Sequence, residues 1–413
     1  MRRVVITGLG TITPLGYDTK ETWDNLLAGK SGVDLIKSFD TSRYTVKIAG
    51  EILDFQPETR IEPKSLKRLD RYVQLSLWAT VEAVRDAKID FTRYDRSRVG
   101  VIIGSGIGGL GTWEREYTKF MERGPARVSP FLIPMMIPDM AAGYVAIFYG
   151  LRGPNYSTVS ACASGAHAIG VAFRTIKSGD AEVMVTGGAE APVTPFALAG
   201  FCNMRALSRR NDAPQKASRP FDKARDGFIM AEGAATLILE ELEFAKKRGA
   251  KIYGEIVGFG ATGDGYHITA PAPNGEGARR SMEMAINEAG CAKEDIDYLN
   301  THGTSTELND RFEMVAINDL FGTHAKDLII NATKSMIGHT LGAAGAIEAF
   351  VVFFSIRDGI IHPTINLEDP IDEADGLDIV TDESRKLDIK YALSNSLGFG
   401  GHNATLCFKR YTG

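Results

Sequence analysis

The sequence predicts an α/β protein built from two similar halves, and three observations predict it. Short β-branched runs alternate with segments of helical apolar spacing along the 413 residues, the pattern of strands covered by helices. Blocks of the first 250 residues return in the same order in the remainder, the mark of a duplicated unit. The 44 glycines call for many tight turns and close backbone approaches.

Composition narrows the class further. The chain is 44% hydrophobic and 24% charged, ordinary for a globular protein with an ample core. A formal net charge of -5 lends no support to a nucleic-acid partner. The four cysteines, Cys162, Cys202, Cys291 and Cys407, are far apart and form no CxxC pair. That spacing argues against a disulfide framework or zinc finger and suits a reducing compartment. The opening MRRVVITGLG reads as a first strand and not as a signal peptide, because Thr, Gly and Pro soon break the apolar run. The apolar run Gly342 to Ile356 contains Glu348 and falls short of the roughly 20 residues of a membrane span. It reads as a buried helix.

In chain order, residues 3–10 form a strand ending in Gly8-Leu9-Gly10. This GxG lacks the third glycine and the distant acid of a dinucleotide fingerprint, and it reads as a tight turn. Amphipathic helices follow at 20–28 and 74–87. Val99 to Ile103 is a buried strand leading into Gly104-Ser105-Gly106-Ile107-Gly108-Gly109. That loop lacks the Lys-Ser/Thr of a phosphate-binding loop and reads as close packing. Residues 130–145, with three prolines, read as an irregular apolar excursion. Pro154 to Val159 is a turn and short strand. A helix then runs through Ala166, Ile169, Gly170, Phe173, Ile176 and Lys177, recurring at helical spacing. Strands at 182–186 and 236–240 flank a polar stretch at 203–227 that reads as a surface loop.

From residue 250 the pattern restarts. Residues 252–260 echo 4–10. The helix at 278–289 and strand at 296–300 echo those at 74–87 and 99–103. Ala344-Gly345-Ala346 through Gly359 echoes Ser164-Gly165-Ala166 through Gly179. The final strand, 391–395, echoes 183–188. The division is therefore expected as 1–250 and 251–413, with a site between the halves.

That site is expected around SACASGAHAIG, residues 160–170. A lone Cys162 among small residues, directly before a helix, has free N–H groups and the macrodipole to favour its thiolate. The second half offers three partner stretches. His302 follows a strand in NTHGTST, His339 precedes a helix in KSMIGH, and Phe399 lies in GFGGHN. One cysteine and two histidines on such corners admit a papain-like pair, a weak zinc site, or acyl transfer onto cysteine.

Six stretches decide among these. They are SACASGAHAIG, GGAEAPVTPFALAGF, SRPFDKARDGFIMAEGA, NTHGTSTELND, TKSMIGHTLGAAGAIEA and NSLGFGGHNA. In this order the chain resembles, over essentially its whole length, the β-ketoacyl-acyl-carrier-protein synthases of the elongating Cys-His-His type, and among them the synthase II group. Glu307 stands where the family often has Pro, and His402 where some members have Thr; both departures touch loop geometry and not the catalytic positions. The thiolases carry a second cysteine where His402-Asn403 stands, the starter synthases an Asn where His339 stands, and chain-length-factor subunits lack the nucleophile. A polyketide ketosynthase of the same chemistry is the alternative.

The resemblance implies a thiolase-like, five-layered αβαβα fold and a cytoplasmic homodimeric enzyme with no cofactor and no metal. Its partner would be an acyl carrier protein, presenting acyl and malonyl phosphopantetheine thioesters, with no nucleic-acid or membrane partner. It implies Cys162 as nucleophile, its N–H and that of Phe399 as oxyanion hole, and neutral His302 and His339 as donors to the malonyl thioester oxygen. Lys334, paired with Glu348, would organise the site. Thr304 and Thr306 would hold the pantetheine arm, and Ile107, Phe201 and Phe399 would line or gate the acyl pocket. Lys64, Lys67, Arg68, Arg71, Arg127 and Arg205 would form a basic rim for the acidic carrier. His167, His267, His324, His362 and His402 read as structural.

Overall fold

The computed structural model describes residues 2–413. Both halves share a core run of strand–helix–strand–helix–strand–helix–strand–strand, with one short extra strand before the last two in the second half. In the first half these are β1 (Val4–Ile12), α1 (Arg71–Ala87), β2 (Val99–Gly104), α2 (Met140–Tyr149), β3 (Asn155–Tyr156), α3 (Ser164–Ser178), β4 (Val183–Glu190) and β5 (Gly233–Glu241). In the second they are β6 (Gly254–Gly263), α4 (Glu276–Ala289), β7 (Tyr298–Asn300), α5 (Glu307–Phe321), β8 (Ile329–Asn331) and α6 (Ala344–Asp358). A short strand β9 (Asp378–Ile379) follows, then β10 (Tyr391–Gly398) and β11 (His402–Lys409).

The strands align as β9-β8-β7-β10-β11-β6-β1-β5-β4-β2-β3. Read outward from the middle, the first half is β1-β5-β4-β2-β3 and the second β6-β11-β10-β7-β8. In each, the first three strands pair antiparallel and the outer ones parallel. The halves join where Val4–Ile6 pairs antiparallel with Gly254–Ile256.

Side-chain alternation on these strands sorts the core into layers. On β5, Leu237 and Leu239 face one way and Ile238 the other. The inward set packs with Ile169 and Phe173 of α3 and Phe350 and Phe353 of α6, in one cluster that also takes Leu406 and Phe408 of β11. The central helices are thus sandwiched between the two half-sheets. Outside, α1 covers the first half-sheet through Leu75, Ala79 and Ala83. Helices α4 and α5 cover the second through Met282, Ala285, Met314 and Ile317. The result is five alternating layers, the thiolase-like architecture expected. Among the described residues no helix is long and apolar enough to cross a membrane.

Three local expectations need correction. Gly8-Leu9-Gly10 is not a turn, since β1 continues to Ile12. A Cβ at Gly8 or Gly10 would collide with the Ala83 or Ala79 carbonyl of α1, so the glycines let helix and strand approach closely. Gly258 and Gly260 do the same against Ala285 and Ser281 of α4. Residues 130–145 are not irregular: they form a short helix, Leu132–Met136, and most of α2. Pro134 falls in the first turn of that short helix, where its missing N–H costs little. The 203–227 stretch is not simply a surface loop. Ser218, Arg219, Phe221 and Asp222 are buried because they brace the second half. Ser218 Oγ donates to the Lys334 carbonyl, and Phe221 N–H donates to Asp310.

Candidate active site

The chain enters α3 through a tight turn that presents Cys162. Ala161 has φ +50°, left-handed for a residue with a Cβ, a local strain held by surrounding bonds. The Ser164 hydroxyl donates to the Ala161 carbonyl and accepts from Ser160 N–H. Gly398, at the end of β10, lies so close that a Cβ there would press on Cys162 N and Ser160 O. This brings the hairpin turn over the sulfur, where the backbone N–H groups of Phe399 and of Cys162 itself favour the thiolate.

From the second half, His302 follows β7 and His339 precedes α6. Both are buried, and their rings stand 5.2 Å apart, nearly perpendicular. A nitrogen of each ring and Cys162 Sγ lie within 4.8 Å of one another. His302 Nδ1 accepts from Lys334 Nζ at 3.2 Å, and His339 Nδ1 accepts from Leu341 N–H at 3.3 Å. An ammonium and a backbone N–H can only donate, so each Nδ1 is the acceptor and each Nε2 carries the proton. This arrangement opposes a metal at Nε2, which would require Nδ1–H pointing at another donor. The group instead offers two N–H donors and a thiol.

Burial sets the charge states. It holds both imidazoles well below their ordinary value, with the Lys334 ammonium pushing the same way, so both are neutral at pH 7. The expected depression of the Cys162 thiol is corrected. Burial pushes it up to about 11, outweighing Lys334 and the two N–H donors, while the Glu190 carboxylate pushes it further up. The side chain rests as a thiol, and its anion is stabilised only locally.

A cavity of about 480 Å³ gathers most of the expected residues: Cys162, His302, His339, Ile107, Phe201, Thr304, Thr306 and Phe399 all line it. The Thr304 and Thr306 hydroxyls bond each other at 2.9 Å. Lys334 and Glu348 lie behind it. Glu348, the expected partner of Lys334, is fully buried on α6 and pairs with Lys334 Nζ at 2.5 Å. It is a partner for the ammonium and not a wall of the cavity. Burial raises its carboxyl to about 7 even beside that charge. Of the basic rim, Arg71 is already engaged by Glu232 and the Ile52 carbonyl. Lys64, Lys67, Arg68, Arg127 and Arg205 are exposed, and Arg205 lines the cavity.

Sequence reasoning missed the buried carboxylates that hold the loops. Glu313 on α5 accepts from His302 N–H (2.8 Å) and Gly303 N–H (2.9 Å), and Asp310 from Thr304 and Ser305 N–H. Glu190 serves two further loops. The signal was present in NTHGTSTELNDRFE, where Asp310 and Glu313 fall in the first two turns of the helix after the His302 loop, and in GGAE, where Glu190 ends a strand.

Comparison with known proteins agrees with this geometry. Residues 1–245 match the Beta-ketoacyl synthase N-terminal domain and residues 253–368 the Beta-ketoacyl synthase C-terminal domain. The chain belongs to the β-ketoacyl synthase family. It is 53% identical over 410 residues to a Staphylococcus aureus (strain COL) protein named 3-oxoacyl-[acyl-carrier-protein] synthase 2, covering 99% of each chain. A crystal structure of a β-ketoacyl synthase from Burkholderia phymatum superposes with TM-score 0.93 at 37% identity, covering all of both chains. A type II polyketide synthase acyl-carrier protein in complex with its ketosynthase bound to the hexaketide gives TM-score 0.92 at 33% identity, again over all of both chains.

Proposed function

We propose that this chain is a 3-oxoacyl-[acyl-carrier-protein] synthase, extending an acyl chain by two carbons through decarboxylative condensation. The observation that carries the reading is the convergence of one thiol and two neutral Nε2–H donors on one cavity, in a chain 53% identical to a synthase of that name.

The site residues take their roles from this geometry. Cys162 Sγ attacks the thioester carbonyl of an acyl carrier protein. A carbon–sulfur bond forms to Cys162, the bond to the pantetheine sulfur breaks, and the thiol proton leaves with that sulfur. The oxyanion of the tetrahedral intermediate is held by the N–H groups of Cys162 and Phe399. A malonyl thioester then occupies the cavity beside Thr304 and Thr306. Its carbon–carbon bond breaks, carbon dioxide leaves, and the enolate oxygen receives Nε2–H bonds from His302 and His339. Because both rings are neutral, they stabilise that charge without giving up a proton beforehand. The enolate carbon attacks the Cys162 thioester, and the expelled thiolate recovers a proton from solvent. Lys334 touches no reacting atom: it is a positioning residue, fixing the His302 tautomer through Nδ1 while Glu348 balances its charge. Ile107 and Phe201 wall the acyl chain.

The halves, 1–250 and 251–413, act as the two walls of this site. The five exposed rim cations suit an acidic carrier protein. A homodimer is supported by β3, an exposed edge strand, beside the exposed apolar side chains Ile133, Ile147, Phe148, Tyr156 and Val159. Such an edge invites pairing. Four free thiols suit the cytoplasm.

Mass spectrometry tests the reading. Incubation with acyl carrier protein thioesters should leave an acyl adduct on the wild type and none on Cys162→Ala. Malonyl carrier protein should discharge it. Native spectra of the same sample should show the dimer. No adduct across several chain lengths would overturn the assignment.

A further inference from the structure

Glu190 is a buried carboxylate with no part in the steps above. It ends β4, is fully buried, and holds five donors. Oε1 accepts from the Ser105 hydroxyl at 2.8 Å, Ile107 N–H at 3.1 Å and Gly108 N–H at 3.3 Å. Oε2 accepts from Gly106 N–H at 2.6 Å and Gly342 N–H at 3.0 Å. The donors belong to two loops of opposite halves. Residues 105–108 carry Ile107, which lines the cavity. Gly342 belongs to the turn before α6, next to Leu341, whose N–H sets the His339 tautomer.

That turn has little freedom. Leu341 has φ +46°, and a Cβ at Gly342 would collide with Gly106 N and Glu190 Oε2. A displacement of Gly342 therefore moves Leu341 N–H relative to His339 Nδ1. The internal repeat strengthens the point. Ala161 and Leu341 each stand three residues before their helix, so Gly342 occupies the place of Cys162. The end of β10 sits on the Cys162 turn, as Glu190 at the end of β4 sits on the Gly342 turn. The carboxylate form is required here. A Gln side chain has one acceptor oxygen, and its amide would face N–H groups with N–H.

We infer that Glu190 is a positioning residue that couples the Ile107 wall of the acyl cavity to the His339 donor through its two oxygens. An acyl chain pressing on Ile107 is thereby felt at the group that stabilises the enolate. The inference rests on the roles proposed above for Cys162 and His339.

The test separates the two half-reactions in Glu190→Gln. Acyl transfer to Cys162, followed by intact mass, should itself change, because Glu190 holds the loop of the Ile107 wall and its charge acts on the Cys162 thiol. Malonyl decarboxylation should lose about tenfold or more in kcat with KM little changed, the signature of a displaced transition-state donor. Wild-type decarboxylation would overturn the coupling. Should the variant not fold, Ile107→Ala carries the test: decarboxylation should fall about threefold, and an unchanged rate overturns the coupling. A wild type that cannot be acylated would instead overturn the function proposed above, so the two failures are distinct.

Discussion

The turns before the two central helices share a left-handed residue at the matching position and do different chemistry. Helices α3 and α6 are each 15 residues long, and each is entered through a left-handed residue, Ala161 or Leu341. The next residue is Cys162 in one and Gly342 in the other. The first turn projects a nucleophile. The second projects only an N–H group, while its neighbour His339 supplies the donor. The helices differ in the same way. α3 turns Arg174 and Lys177 outward to Glu288. α6 is buried from Ala344 to Ile356 and carries Glu348 at the position matching Ala168. A duplicated backbone frame thus fixes where functional groups stand, and unduplicated side chains decide what they do.

The largest effect should come from the feature with no counterpart in the first half. Lys334→Ala leaves Glu348 buried without its ammonium, a loss on the order of 3–5 kcal/mol. Without Lys334 the carboxyl rises above its value of about 7, while the unfolded value is near 4.3. The folded variant then binds a proton more tightly than the unfolded chain. Its deficit should be small near pH 5 and grow through pH 7 and above, as urea unfolding at pH 5.5 and 8 would read. A deficit independent of pH would remove Glu348 as the cause.

The donors come next. His302→Ala and His339→Ala should each lower malonyl decarboxylation by about 10²–10³ and leave a Cys162 acyl adduct detectable. If one replacement were harmless, a single histidine would serve as donor.

The smallest effect probes the frame itself. Gly10→Ala and Gly260→Ala each drive a Cβ into the backbone of an outer helix, and each should cost about 1–3 kcal/mol. Thermal unfolding should show similar losses. A difference above about 1 kcal/mol would show that the halves are not equivalent in packing.

Much of this was legible in one dimension. Local residue pattern determined the alternation of strands and helices, the echo of the two halves and the six stretches that carry Cys162, His302 and His339, because apolar periodicity and short motifs are properties of contiguous chain. Tertiary structure alone decided the rest. The Cys162 thiol reads from sequence as depressed by a helix N-terminus, yet burial raises it to about 11. Desolvation depends on what surrounds a group, and local sequence does not specify that. Gly8 and Gly10 read as a turn, yet they make room for α1, which lies some 70 residues away in the chain. Glu190 looks like any acid after a strand, and only the fold brings Gly106 and Gly342 of opposite halves to its two oxygens.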